Sequence, residues 1–193
     1  MLSIITVTYN NFDDLYRTLN SLNKVKGIEK VVVNGGECRK TKEYLSAFDG
    51  IAISEPDKGI SDAFNKGVSH ANGENVMFLN SGDILLSPDY LHEAENIIKF
   101  NPEISFVHSD LVFEDRISGD IRLTALQPFF FKAPPLGRGM PYHHQSMIVR
   151  KKVFDKTGLF KLQYKISMDF DLSLIHISEP TRRTPISYAV FWL

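Results

Sequence analysis

Short β-branched runs that each stop on a turn built from Asn, Gly, Ser or Asp recur along the first half of this chain, and that recurrence restricts the fold more than any other feature. Leu2 to Val7 ends at Tyr9-Asn10-Asn11, Val31-Val32-Val33 ends at Asn34-Gly35-Gly36, and Val76-Met77-Phe78-Leu79 ends at Asn80-Ser81-Gly82-Asp83. Between these runs, Phe12 to Leu22 carries Leu15, Leu19 and Leu22 at helical spacing. Arg39 to Phe48, Ile60 to His70 and Leu91 to Phe100 also read as helices, and Ile51 to Ser54 as a further strand. Such a βαβ succession implies an α/β fold with a mostly parallel, Rossmann-like sheet and helices on both faces.

From Ile104 onward the pattern changes. Ser105 to His108 and Leu111 to Phe113 read as strands separated by a short turn, Pro134 to Pro141 as a loop, and Gln145-Ser146 as part of a strand that follows His143 and His144. The second half therefore reads as a small antiparallel extension of one domain. A chain of 193 residues with 43% hydrophobic content is long enough for one such core.

Charge and cysteine content exclude several functions. With 22 Lys and Arg against 23 Asp and Glu, the chain has no basic field for non-specific nucleic-acid binding, so no nucleic-acid partner is expected. Its one cysteine, Cys38, has no internal partner for a disulfide. The amino terminus has no basic n-region, and no apolar run approaches the roughly 20 residues that span a bilayer. The expectation is a cytoplasmic protein, soluble or working at the inner face of the cell membrane.

Four places carry candidate chemistry. Thr6 to Asn10 ends the first strand and offers backbone groups of Val7 and the ring of Tyr9 to a nucleobase, or is simply a strand leading into a turn. Asn34-Gly35-Gly36 would let backbone approach a ligand closely, but many ordinary loops look the same, and in isolation it reads as one of them. Asp83, with Asn80 in the same turn, stands at the carboxyl end of a buried strand, where open α/β sheets bind ligands. Mg²⁺ or Mn²⁺ takes hard oxygen ligands and needs only one or two carboxylates when a diphosphate supplies the rest, although an Asp in such a turn also serves as a turn former. In Met168-Asp169-Phe170-Asp171, Asp169 suits either a general base acting on an acceptor hydroxyl or a helix N-cap.

Taken in order, Ser3 to Asn10, Glu55 to Gly67, Phe78 to Asp83, and His144-Gln145-Ser146 followed by Met168 to Asp171 resemble the bacterial family 2 glycosyltransferases of the GT-A fold, particularly those of exopolysaccharide clusters. The resemblance implies a hexosyl-type transferase that uses a nucleotide-diphosphate sugar donor and a glycan or lipid-linked acceptor in surface polysaccharide synthesis. It implies that Val7 and Tyr9 face the base, Asn34 stands where the family usually has an Asp contacting that base, and Asp57 lies beside the nucleotide. Asp83 would be the last carboxylate of the DXD-type metal motif, and Asp169 the general base of an inverting single displacement.

Departures from the family pattern are visible. Asn34 replaces an Asp, Asn80 and Gly82 leave Asp83 as the one acid of its turn, and Phe64 stands where many relatives have an Arg. His143 and His144 read as core or loop packing rather than ligand contacts, and Phe129-Phe130-Phe131 as core or as a face toward a lipid-linked acceptor or membrane. A nucleotidyltransferase of related fold is the enzymatic rival, but Thr8 to Phe12 lacks its Gly-rich basic signature. The segment from Leu172 to Phe191 closely resembles the conceptual translation of a sequencing-library adapter. The domain expectation is a catalytic domain over 1–171, continued in nature past Asp171, and an artefactual tail over 172–193; as a fragment the chain could be inactive and at most bind a nucleotide-sugar.

Overall fold

The run Leu2–Thr8 becomes β1, the strand about which the rest is arranged, and α1 (Phe12–Ser21), β2 (Ile28–Asn34), α2 (Arg39–Ser46), β3 (Ile51–Ser54), α3 (Ile60–His70) and β4 (Asn75–Phe78) follow it. After these come β5 (Ile84–Leu85), α4 (Pro88–Phe100), β6 (Phe106–Val107), β7 (Leu111–Glu114), β8 (Ile121–Thr124), β9 (Ile148–Arg150), α5 (Lys152–Thr157) and β10 (Phe191–Trp192). The computed structural model describes residues 1–115, 117–124, 143–163 and 191–192. Asp169, the three phenylalanines 129–131 and most of the segment 172–193 lie outside the described residues.

The main sheet has six strands in the order β3-β2-β1-β4-β9-β6. β1 pairs in parallel with β2, Leu2 opposite Ile28 through Thr8 opposite Asn34, and also with β4. Side chains alternate between faces along a strand, so the fully buried apolar run of β1 needs helices on both sides. Leu2 and Ile4 pack with Val32 and Met77 against Leu15 and Leu19 of α1, Leu45 of α2, and Leu91 and Ile98 of α4. Ile5 packs with Val31, Val76 and Phe78 against Phe64 and Val68 of α3 and Phe154 of α5. The chain winds outward from β1 through β2 to β3, and α3 then returns it to β4 on the other side of β1. In open α/β sheets such a reversal, here at the carboxyl ends of β1 and β4, is where the ligand-binding crevice lies.

The second half differs from the sequence expectation in detail. β9 runs antiparallel to β4, and β6 antiparallel to β9, which gives the sheet its antiparallel edge. β6 and β7 do not pair with one another: β6 joins the main sheet, and β7 forms a separate antiparallel pair with β8. The chain is fastened between them, because the carbonyl of Ser109 accepts the buried hydroxyl of Ser146 at 2.7 Å. Gln145 and Ser146 belong to a 3₁₀ turn over His144–Ser146 rather than to a strand. The Ser146 hydroxyl also donates to the carbonyl of His143 at 3.1 Å, a local bond of the kind that competes with a β-ladder. Helix α4 begins three residues earlier than Leu91 because Pro88 suits its first turn. β10 pairs antiparallel with β5, Phe191 opposite Leu85.

Candidate active site

The crevice is closed by hydrogen bonds between the loops that end β1, β2 and β4. The carbonyl of Thr8 accepts the N–H of Gly35 at 3.1 Å, and the carbonyl of Val7 accepts the N–H of Ser81 at 3.1 Å. Thr18, buried on α1, donates to the carbonyl of Asn80 at 3.2 Å and accepts the N–H of Gly82 at 2.9 Å. The turn after β4 is thereby held from below by a helix and from the side by β1.

Asp83 is only 4% exposed in that turn. Its Oδ2 accepts the backbone N–H of Asn80 at 3.1 Å, and its own N–H donates to the Asn80 carbonyl at 2.9 Å. Gly82 between them has φ 109°, a conformation that side chains rarely adopt, so the turn needs glycine there. The Asn80 amide donates through Nδ2 to Nε2 of His144 at 3.1 Å, and the His144 ring meets Phe64 edge-on with centroids 5.9 Å apart. Phe64 is fully buried, so it packs under the site and offers a ligand no polar group.

Asn80 Oδ1 is buried with no hydrogen-bond partner. A buried acceptor left in that state costs about 1–3 kcal/mol, and a hard oxygen in the same turn as a carboxylate suits Mg²⁺ or Mn²⁺. The donor set therefore fits a divalent ion. Among the described residues no group of three or more His, Cys, Asp or Glu side chains is placed to hold a metal, so such an ion would depend on substrate phosphates for its remaining ligands.

On the other flank, Asn34 is fully buried. Its Nδ2 donates to Ser54 Oγ at 2.9 Å and to the Gly36 carbonyl at 3.0 Å, while its Oδ1 accepts the N–H of Gly36 at 3.1 Å. These bonds tie the end of β2 to β3 and shape the glycine turn. A Cβ on Gly35 would fall 1.7 Å from Oδ2 of Asp57, so that glycine makes room for the carboxylate. Asp57 Oδ1 caps the N–H of Gly59 at 2.9 Å. The loop of Asp57 is anchored by Lys66, which donates to the Pro56 carbonyl at 2.7 Å and pairs with Glu55 at 2.9 Å. The hydrogen bond to Glu55 holds the Lys66 ammonium above its ordinary pKa. Tyr9, directly after the carboxyl end of β1, is 69% exposed.

Of the residues singled out in the sequence, Val7, Asn80 and Asp83 meet at the β1–β4 junction, and Asn34 and Asp57 meet around Gly35. Asp169 lies outside the described residues. Two residues were not singled out: Thr18, which fastens the turn of Asp83, and Asn10; His144, expected to pack, does pack against Phe64 and also holds the Asn80 amide. The signal for Asn10 was its place in an Asn pair directly after a strand, since Asn tolerates left-handed backbone and caps neighbouring N–H groups.

The family model described as "Glycosyl transferase family 2" matches residues 3–158. The chain belongs to glycosyltransferase family 2. Among its relatives, an uncharacterised glycosyltransferase of Mycobacterium tuberculosis is 32% identical over 190 residues, covering 92% of this chain and 70% of that protein. A PGL/p-HBAD biosynthesis glycosyltransferase of Mycobacterium bovis is 27% identical, covering 98% of this chain and 75% of the relative. Among solved structures, the mannosyltransferase PcManGT from Pyrobaculum calidifontis in complex with GDP-Man and Mn²⁺ aligns with a TM-score of 0.70 at 13% identity, over the whole of this chain and 56% of the other. S. aureus TarS 1–349 in complex with UDP aligns with a TM-score of 0.66 at 18% identity, over the whole of this chain and 60% of the other. These structural likenesses establish the GT-A type of fold for this family 2 chain, which spans 56% and 60% of the length of these two solved chains.

Proposed function

We propose that the chain carries the donor-binding and catalytic part of a metal-dependent, inverting glycosyltransferase. It would move a sugar from a nucleotide-diphosphate sugar to a hydroxyl of a glycan or lipid-linked acceptor in bacterial surface polysaccharide synthesis. The observation that carries this reading is the buried Asp83 in one turn with the partnerless oxygen of Asn80, at the sheet's winding reversal in a family 2 chain. The UDP and GDP-Man bound by TarS and PcManGT, and the Mn²⁺ in the latter, support the same donor chemistry.

In this reading the ring of Tyr9 and the backbone near Val7 face the nucleobase, with Asn34 shaping the wall and Asp57 beside the nucleotide. Asp83 and Asn80 hold Mg²⁺ or Mn²⁺, which when bound supplies Lewis-acid stabilisation of the diphosphate. Asp169 takes the proton of the acceptor hydroxyl as its oxygen attacks the anomeric carbon. The nucleotide diphosphate departs from the opposite face, so one displacement inverts the centre. Among the described residues no helix is long and apolar enough to cross a membrane.

The test is binding and transfer with a panel of nucleotide-sugars and Mn²⁺, comparing the protein with Asp83→Ala and Asp169→Asn. Asp83→Ala is expected to abolish Mn²⁺-dependent donor binding. Asp169→Asn is expected to keep binding and lose transfer by about 10²–10⁴-fold. Absence of any nucleotide-sugar binding by the parent protein sinks the donor-site reading, and full-rate transfer by Asp169→Asn sinks the base assignment alone.

A further inference from the structure

Asn10 is the one non-glycine residue with positive φ among the described residues, at 51°. That left-handed conformation is disfavoured for most side chains and tolerated best by Asn and Asp. The side chain uses the position. Its Oδ1 accepts the N–H of Glu37 at 2.8 Å and that of Cys38 at 3.0 Å, two backbone donors that precede the first residue of α2 and have no intrahelical partner. The two loops touch directly as well: a Cβ on Gly36 would lie 2.5 Å from Asn10 Oδ1 and 2.6 Å from its backbone nitrogen. One residue therefore locks the loop after β1 to the loop after β2.

Tyr9 precedes this clamp, and its ring is 69% exposed. Among the described residues no other ring packs against it, and the backbone that carries it leads directly into the residue that makes the clamp. We infer that Asn10 is a positioning residue that fixes the Tyr9 ring for stacking on the donor's nucleobase. This rests on the donor-site reading above and adds to it the residue through which the base-binding ring is aimed. Holding the loop before the ligand arrives removes an ordering cost from binding, so the effect should appear in nucleotide affinity rather than in the rate of transfer.

The experiment measures UDP and GDP binding in the presence of Mn²⁺ by calorimetry. It uses the full chain, Asn10→Gly, Asn10→Asp and Tyr9→Ala, and the combination of Tyr9→Ala with Asn10→Gly. Asn10→Gly keeps the backbone conformation but removes the acceptor, whereas Asn10→Asp keeps both. The expected result is a loss of about fivefold for Asn10→Gly, little change for Asn10→Asp, and no further loss from Asn10→Gly once Tyr9 is already Ala, the signature of two residues acting as one unit. Gly36→Ala, which pushes on the same contact from the opposite loop, gives a second route to the same loss if Asn10→Gly folds poorly. Losses that simply add in the Tyr9→Ala background overturn the positioning role and leave the donor site standing. Failure of the parent protein to bind either nucleotide overturns both.

Discussion

The side-chain amide of Asn80 donates to Nε2 of His144 over 3.1 Å and joins the turn that ends β4 to the turn that leads into β9. An amide nitrogen only donates, so in this arrangement Nε2 of His144 is the acceptor. The bond also decides which edge of Asn80 is left over, and that edge is the buried Oδ1 without a partner.

Replacing His144 by Phe keeps a ring against Phe64 and removes the acceptor. The Asn80 amide then loses its partner in a part-buried position, and the protein is expected to lose about 1 kcal/mol of stability, read from urea unfolding. The same variant should show weaker Mn²⁺-dependent nucleotide binding, because nothing holds Oδ1 in place. Unchanged Mn²⁺ dependence would mean that Asn80 contributes nothing to the metal.

Gly35→Ala and Gly67→Ala should separate site from scaffold. At Gly35 the new methyl would meet the carboxylate of Asp57 at 1.7 Å. A carboxylate at the end of a side chain can swing aside, so stability should change by less than about 1 kcal/mol while nucleotide binding falls as far as it does in Asp57→Ala. Matching calorimetric titrations of the two variants, beside their melting curves, check this.

At Gly67 the methyl would meet Cγ2 of Ile5 at 2.3 Å, where α3 lies directly on the central strand. Neither partner can move without shifting helix or sheet. Overpacking costs about 1–3 kcal/mol, and the gain of up to roughly 1 kcal/mol in helix propensity offsets only part of it. Gly67→Ala should therefore unfold at lower urea with nucleotide affinity per folded molecule unchanged.

The alternation of strands and helices was legible because β1, β2 and β4 are each closed by a turn of Asn, Gly, Ser or Asp and are separated by helices of eight to eleven residues; Ile60–His70 and Ile51–Ser54 fall where the pattern puts them. The second half was less legible because its strands are two to four residues long and their partners are set by tertiary contacts. Ser146 shows this: its β-like neighbours suggest a strand, but its hydroxyl bonds Ser109 and His143 instead. In the site, position along the strand ends was enough to bring Val7, Asn80 and Asp83 together. The glycines of the Asn34 turn read in the sequence as an ordinary loop or a close approach to a ligand; the structure shows that they make room for Asp57 and Asn10, which only three-dimensional proximity could reveal.

Tyr90 gives a prediction at high pH. Its ring is buried on α4 and its hydroxyl donates to the carbonyl of Ser146. Burial pushes its pKa well above the ordinary tyrosine value, since an ionised phenolate there would be stripped of water. The folded protein thus keeps this proton to higher pH than the unfolded chain does. Below about pH 10 both states are protonated and the contribution is whole. As pH rises further the unfolded chain ionises first, and stability falls by about 1.4 kcal/mol per pH unit until the folded pKa is reached. Tyr90→Phe removes that slope and leaves the Ser146 carbonyl without its donor, a loss of about 1 kcal/mol at neutral pH. Urea unfolding from pH 8 to pH 11 should therefore show the variant less stable at the start and the two proteins converging at the alkaline end; parallel curves would mean that the Tyr90 hydroxyl is hydrated in the folded state.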